Sequence, residues 1–220
     1  MLDLGCGGGR HAFAVAKLGA TVVALDADAD VLVGVQAMFA ALRAAGEIGD
    51  EDTSVIVGDA LVLPFPEASF DVVIASEILE HLVEDEQALA EIARVLEPGG
   101  TFALSVPRRF PERVNWALSS SYHEVHGGHV RIYRRDVLIE RVCRAGFLER
   151  GSAYRHGLHS PFWWLRCLVG IEREDHPLVS AYHRFLVWDI VRRPMLTRAL
   201  EQVLDPLIGK SLVVYFTRCS

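Results

Sequence analysis

Five short stretches in the first half of the chain are almost wholly apolar, and most are followed by a segment of helical spacing. They are Met1–Leu4, Thr21–Leu25, Thr53–Val57, Phe70–Ala75 and Thr101–Val106. Continuous apolar runs of this length predict strands covered on both faces. Between them, Arg10 to Leu18 places Phe13, Val15, Ala16 and Leu18 on a helix closed by Gly19. A second helix starts from an Asp28 or Asp30 cap and runs to about Ala45, before Gly46. A third, Glu84 to Leu96, breaks at Pro98-Gly99-Gly100. Strand and helix alternate throughout, which predicts an α/β fold with a parallel sheet and helices on both faces.

After Pro107 the pattern loosens. Residues 108–133 read as an inserted loop or short helices, Asp136 to Ala145 as a helix, and Phe147 to Tyr154 as a sixth strand. Residues 156–209 read as helical, with breaks at Pro161, Pro177, Pro194 and Pro206, and Ser211 to Thr217 as a last strand. With 220 residues, 51% hydrophobic and 23% charged, the chain is long enough to bury its own core and is read as one domain. The longest uncharged stretch of the first half, Val31 to Leu42, is too short for a bilayer span of about 20 residues. Cysteines at 6, 143, 167 and 219 form no CxxC pair and no zinc spacing, so reduced thiols in a cytoplasmic protein are expected.

Charge divides the chain. Residues 1–107 carry 4 Lys/Arg against 18 Asp/Glu; residues 108–220 carry 18 against 11. Fourteen of the 19 aromatics and seven of the nine histidines also lie after residue 107. The expectation is a ligand-binding half at 1–107 and a substrate half at 108–220, with a helical insertion at about 156–209. The chain opens directly on a strand tail, whereas sheet strands usually run to about 5–6 residues. A natural N-terminal extension is therefore expected to be missing. No basic or apolar run precedes the strand, so no signal peptide is expected.

Gly5, Gly7 and Gly9 follow a strand and precede a helix, which lets backbone approach a nucleotide-like ligand. Dinucleotide-binding domains share that feature, but here position 10 is Arg, so the third glycine of GxGxxG is absent. Asp3 sits two residues before the first glycine, where it would repel a pyrophosphate but not an amine or sulfonium. Asp26, at the end of the second strand, can accept both hydroxyls of a ribose.

Asp3-Leu4-Gly5-Cys6-Gly7-Gly8-Gly9 resembles the first motif of class I S-adenosylmethionine-dependent methyltransferases. Leu25-Asp26 resembles their ribose-binding acid, and Gly58-Asp59-Ala60 with Leu63-Pro64-Phe65 their adenine-binding segment. Phe70-Asp71-Val72-Val73, followed by Ser76-Glu77-Ile78-Leu79-Glu80-His81-Leu82, resembles the fourth strand and its sequel in the ubiquinone/menaquinone methyltransferase-like (methyltransferase type 11) branch. Leu96-Glu97-Pro98-Gly99-Gly100 resembles the turn before the fifth strand. The resemblance covers residues 1–107. It implies a Rossmann-like, mostly parallel sheet of seven strands, the last antiparallel and beside the fifth, and S-adenosyl-L-methionine as cofactor. The contact set it implies is Asp3, Gly5, Cys6, Gly7, Gly9, Asp26, Ala27, Asp59, Ala60 and Ser76. The helices that precede the first strand in that family are absent here.

Two readings stay open for several of these residues. Asp3 either meets the methionine amine or only braces the loop, and Cys6 serves as a small residue in a tight turn. His81 is catalytic or structural. His129, in Gly128-His129-Val130-Arg131-Ile132-Tyr133, resembles a histidine at the active-site mouth and is the favoured general base of the Tyr122–His129 segment. His123, His126 and His129 share a spacing of three with Glu124 among them, but Gly127-Gly128 breaks any helix, so no metal site is expected. Phe162 to Arg166 and Tyr182 to Val191 read as a helical cap with its own core, or as a lid over a hydrophobic substrate or a membrane-facing patch. Arg108, Arg109 and Arg113 could hold a substrate phosphate or carboxylate. Nothing resembles a nucleic-acid platform.

The expected function is S-adenosylmethionine-dependent methyl transfer to a small-molecule acceptor with apolar and anionic parts, hydrophobic or lipid-like in character. The alternatives are a non-catalytic binding or membrane-associated protein of the same fold, and an NAD-dependent oxidoreductase.

Overall fold

The computed structural model describes residues 1–49, 52–123, 128–173, 175–192 and 194–220, which divide into two compact units interleaved along the chain. One unit comprises Met1–Ser105, Ile139–Gly151 and Val214–Ser220; the other comprises Val106–Leu138 and Ser152–Val213.

The first unit is built on β1 (Leu2–Leu4), β2 (Val22–Asp26), β3 (Thr53–Val57), β4 (Phe70–Ser76), β5 (Leu96–Pro107), β6 (Phe147–Arg155) and β7 (Ser211–Arg218), the last three running across the unit boundary. They form one sheet of order β3-β2-β1-β4-β5-β7-β6. The pairs β1–β2, β1–β4, β2–β3 and β4–β5 are parallel, and β7 is antiparallel between β5 and β6, as the family resemblance implied. In register, Asp3 stands beside Ala24 and Ile74.

The helices of this unit follow the amphipathic spacing of the sequence. On α1 (Arg10–Ala16) and α2 (Ala29–Ala44), Ala12, Ala16, Leu32, Val35, Phe39 and Leu42 are buried with Val22 and Ala24 of the sheet. Phe13 meets Phe39 edge to face, with ring centroids 5.1 Å apart. Asp28 caps α2, its carboxylate accepting the N–H groups of Asp30 and Val31. On α3 (Asp85–Val95), Ala88, Leu89, Ile92 and Val95 are buried. Asp85, in the first turn of α3, is ion-paired to Arg141 on α6 (Arg135–Arg144).

One strand boundary departs from expectation. The fifth strand was expected from Thr101, after a break at Pro98-Gly99-Gly100, yet β5 begins at Leu96. Phe70 pairs with Leu96 and Val72 with Thr101, so four residues of β5 stand against the single Asp71 and three extra residues bulge out of the ladder between those pairs. Gly99, at φ +81°, supplies the left-handed conformation that a bulge of this kind uses.

The second unit is mostly helical, with α4 (Arg109–Leu118), α5 (Ser120–His123), α7 (His159–Val169), α8 (Pro177–Arg192) and α9 (Met195–Ile208). Leu158, Phe162, Val179 and Leu186 form its buried cluster, flanked by Trp163, Tyr182, Phe185 and Leu204. Pro177 and Pro194 sit at helix starts, as expected, but Pro161 and Pro206 do not break helices. Pro161 lies in the first turn of α7, where no intrahelical donor is needed, and Pro206 lies in the last turn of α9.

Helix α9 is inverted relative to an ordinary surface helix. Thr197 and Asp205 are buried, while Leu196, Leu200, Val203 and Leu207 are 79%, 44%, 62% and 62% exposed. Asp205 is satisfied inside, because its Oδ1 accepts the Gly157 N–H at 2.7 Å. Among the described residues no helix is long and apolar enough to cross a membrane.

Candidate functional site

In the first unit, β1 is flanked by β2 on one side and β4 on the other, which makes the ends of these strands a topological switch point. Open α/β sheets bind ligands at such points, outside the carboxyl ends of the strands. A cleft of about 280 Å³ lies there. Its wall comes from Leu4 and Gly5 after β1, Leu25 to Ala27 at β2, Gly58 to Ala60 after β3, and Glu77, Ile78, His81 and Leu82 after β4. The described lining holds three carboxylates and one imidazole, and no lysine or arginine.

The glycine loop is held by its own hydrogen bonds. The N–H groups of Gly5 and Cys6 both donate to the Leu25 carbonyl, at 2.8 and 3.0 Å. Gly9 N–H donates to Cys6 O, and Gly7 N–H to Asp26 Oδ2 at 2.8 Å. Donors committed in this way are not available to cradle a phosphate, which distinguishes the loop from an anion-binding nest. An acidic wall, beside a loop whose Gly5, Cys6, Gly7 and Gly9 donors are committed, suits a ligand bearing hydroxyls and positive charge, and opposes a pyrophosphate.

Glycine is required at two points of this loop. Gly5 has φ +65°, and a Cβ there would lie 2.6 Å from Ile78 Cδ1. Gly9 has φ +77°, and a Cβ would lie 2.6 Å from the Phe13 ring. At Gly7 a Cβ would meet nothing within 4 Å, so the loop presents bare backbone to open space.

Six residues singled out in the sequence line the cleft: Gly5, Asp26, Ala27, Asp59, Ala60 and His81. Asp59 Oδ1 accepts the Leu61 N–H at 2.9 Å, and Asp26 Oδ1 accepts that of Asp28 at 3.0 Å. Asp3, Cys6, Gly7, Gly9 and Ser76 are not among the residues that line the cleft. Asp3 is buried, with Oδ2 accepting the Ala12 N–H at 2.9 Å, and so braces the start of α1. Burial, opposed by that hydrogen bond and helped by the Asp26 charge, raises its pKa to about 6. Burial, with Asp3 and Asp26 nearby, pushes the Cys6 thiol up to about 12, so it stays protonated. Ser76 shares a hydroxyl hydrogen bond with Ser105, which donates to Glu77.

Glu77 was not singled out from the sequence as a contact residue. It lines the cleft at φ +56°, a conformation that costs a non-glycine residue of order 1 kcal/mol and that concentrates at functional sites. Its only signal in the sequence was its place immediately after the fourth strand.

The second unit also holds a polar centre. Glu112 is 2% exposed on α4, and its Oε1 lies 2.6 Å from Nδ1 of His129. Its Oε2 accepts from Asn115 Nδ2 at 3.3 Å and from the Tyr122 hydroxyl at 3.4 Å. Burial would raise the Glu112 pKa, but the hydrogen bond and charge of His129, the Lys210 charge and the Asn115 amide together hold it below the usual carboxylate range. Burial and the Glu112 charge push the Tyr122 phenol up, so it remains a donor. A carboxylate at Nδ1 fixes the imidazole with its proton there and Nε2 as the acceptor, the arrangement of a general base. Glu112 left no trace in the sequence, because its partner lies 17 residues away. Glu124, His126 and the side chain of His123 fall outside the described residues.

Residues 2–104 match the family model of the methyltransferase domain. The chain is 38% identical over 160 residues to 27-O-demethylrifamycin SV methyltransferase of Amycolatopsis mediterranei, a match covering 70% of this chain and 55% of that protein. It is 35% identical over 134 residues to sterol 24-C-methyltransferase of Eremothecium gossypii, covering 60% of this chain and 32% of that one. The chain thus spans between about a third and just over half of the length of these relatives. A solved structure of a SAM-dependent methyltransferase from Methanosarcina mazei superposes with a TM-score of 0.63 at 14% identity, covering 99% of this chain and 91% of that one. At that identity the likeness establishes the fold, and the family rests on the sequence matches. Residues 2–104 are thus a methyltransferase domain, and the chain's sequence homologues include S-adenosylmethionine-dependent methyltransferases.

Proposed function

We propose that this chain binds S-adenosyl-L-methionine in the cleft at the ends of β1, β2 and β4 and transfers its methyl group to a small molecule with apolar and anionic parts. The observation that carries this reading is the acidic cleft at the switch point, within the segment that matches the methyltransferase domain. The fit is chemical. The cofactor carries two ribose hydroxyls, an ammonium and a sulfonium, and the lining offers carboxylates without a competing cation.

In this reading Asp26 accepts the ribose hydroxyls, and Asp59 with Ala60 receives the adenine and its exocyclic amine. Gly5, Cys6, Gly7 and Gly9 form the close-approaching loop, which Asp3 braces from behind, and Ser76 supports the wall at Glu77. When bound, the cofactor supplies a methyl group already activated by the sulfonium. The protein's part is then mostly alignment, which can supply about 7–11 kcal/mol of the barrier. His129, oriented by Glu112, removes the acceptor proton, and His81 on the cleft wall is the second candidate for that task. The acceptor's apolar and anionic parts answer the aromatic and arginine-rich composition of residues 108–220. The four free thiols support a cytoplasmic setting.

Calorimetric titration with S-adenosylmethionine, S-adenosylhomocysteine and NADH tests the reading. Micromolar binding of the first two alone is the expected result; binding of NADH alone would restore the oxidoreductase reading. The exposed apolar stripe of α9 favours a second reading, a membrane-associated protein that keeps the fold without the chemistry. Vesicle flotation without any methyl transfer in cell extracts would select it.

A further inference from the structure

Helix α4 has two unlike faces. Glu112 and Asn115 lie on one, towards His129 and Tyr122. The other, carrying Arg109, Phe110, Arg113, Val114 and Ala117, lines a pocket of about 580 Å³ within the second unit. That volume falls in the range of about 300–1,000 Å³ usual for small-molecule sites. Opposite α4, the pocket is closed by Tyr133, Arg135, Tyr154 and Leu212. Four guanidiniums thus border an apolar hollow whose described lining contains no acid.

The arginines are not equivalent. Arg108 is stacked on the Tyr154 ring, 3.8 Å from its centroid, and donates to the Asp205 carbonyl. Arg135 donates to Ser152 Oγ at 2.9 Å. Both are therefore fixed as walls. Arg109 and Arg113 are exposed and have no acidic partner among the described residues. They stand four residues apart on α4, where like charges repel, and Arg109 occupies the first turn, where the helix dipole disfavours a cation. A bound anion would relieve both conflicts.

We propose that this pocket binds an amphipathic organic anion, with its apolar body against Phe110, Val114 and Tyr133 and its carboxylate or phosphate held by Arg109 and Arg113. Guanidinium forks match both headgroups by paired hydrogen bonds. Because the pocket and Glu112 occupy opposite faces of α4, this binding needs no step of the transfer reaction and stands apart from the cofactor reading.

The test is calorimetric titration of the full chain with octyl phosphate below its micelle concentration, with octanol and inorganic phosphate as controls. The expected result is saturable one-to-one binding of octyl phosphate, with each control at least about tenfold weaker. The R109Q/R113Q double variant removes the charges at exposed positions, and A117F fills the hollow while keeping them. Each should weaken octyl phosphate at least about tenfold with an unchanged circular dichroism spectrum and unchanged S-adenosylmethionine binding. Equal binding of inorganic phosphate or of octanol would overturn the proposal. So would octyl phosphate affinity within twofold of the parent in both folded variants. Loss of cofactor binding in the parent, with octyl phosphate still bound, would count against the methyltransferase reading and leave this one standing.

Discussion

Oε1 of Glu112 and Nδ1 of His129 lie 2.6 Å apart, and the carboxylate of this pair is almost completely removed from solvent. Holding an ionised carboxylate there is possible because Asn115 and Tyr122 also donate to it. On the proposed mechanism, His129→Ala lowers kcat by about 10²–10⁴, the usual worth of a positioned base. Glu112→Gln keeps the shape but frees the choice of ring tautomer. It should lower kcat, alter its pH profile and leave the affinity for S-adenosylmethionine within twofold. Steady-state rates across pH, beside a cofactor titration, separate this outcome from general misfolding, which would move both.

Asp26 has two duties, because Oδ2 receives the Gly7 N–H while the same side chain borders the cleft. Asp26→Ala should therefore weaken S-adenosylmethionine by more than tenfold, since an acceptor pair for ribose and a loop tether are lost together. Faster hydrogen exchange at Gly7 in the ligand-free protein is the independent sign of the lost tether. An unchanged affinity would remove Asp26 from the proposed site.

Gly5→Ala should destabilise the fold by about 1–3 kcal/mol, through overpacking and a left-handed backbone that a side chain resists. The contact responsible is Ile78 Cδ1, 2.6 Å from the added Cβ. In an Ile78→Ala background only the backbone part of the cost should remain. Denaturant unfolding of the four proteins in this cycle checks it.

Asp3 gives a pH signature. With its pKa raised to about 6, the folded chain keeps a proton between about pH 4 and 6 that the unfolded chain has released. Its contribution to stability is therefore greatest below about pH 4 and falls as pH rises to about 6, by about 3 kcal/mol in all. Asp3→Asn has no such titration and retains an oxygen for the Ala12 N–H. The stability of the variant relative to the parent should rise across that window and stay level above it.

The strands and helices of residues 1–107 were legible because a strand covered on both faces and a helix of amphipathic spacing leave different signatures over five or more residues. The cap of α2 was narrowed to Asp28 or Asp30, since a cap depends only on its own neighbours, and Asp28 fills it. What was not legible depends on distance or on position within an element. Leu96 joined the fifth strand through a bulge across from Phe70, which sequence spacing alone marks as a break. Pro161 and Pro206 looked like helix stops, yet Pro161 falls in a first turn, where its missing N–H is not needed, and α9 carries Pro206 within its last turn. In the site, the acid at a strand end, Asp26, follows a general rule of sheet topology. Glu77 and Glu112 do not, because their roles arise from a strained backbone and from a partner brought in by folding.

The absence of cations from the described cleft wall bears on turnover as well as on binding. S-adenosylmethionine has a net charge of +1, and S-adenosylhomocysteine is neutral, so in the proposed site methyl transfer would discharge the ligand beside an acidic wall. On that reading the attraction that draws the cofactor in would be lost once the reaction is complete, and the spent form would leave a site that no longer favours it. Salt should therefore slow the arrival of S-adenosylmethionine while leaving its product almost untouched, so that the preference for the charged form narrows as ionic strength rises.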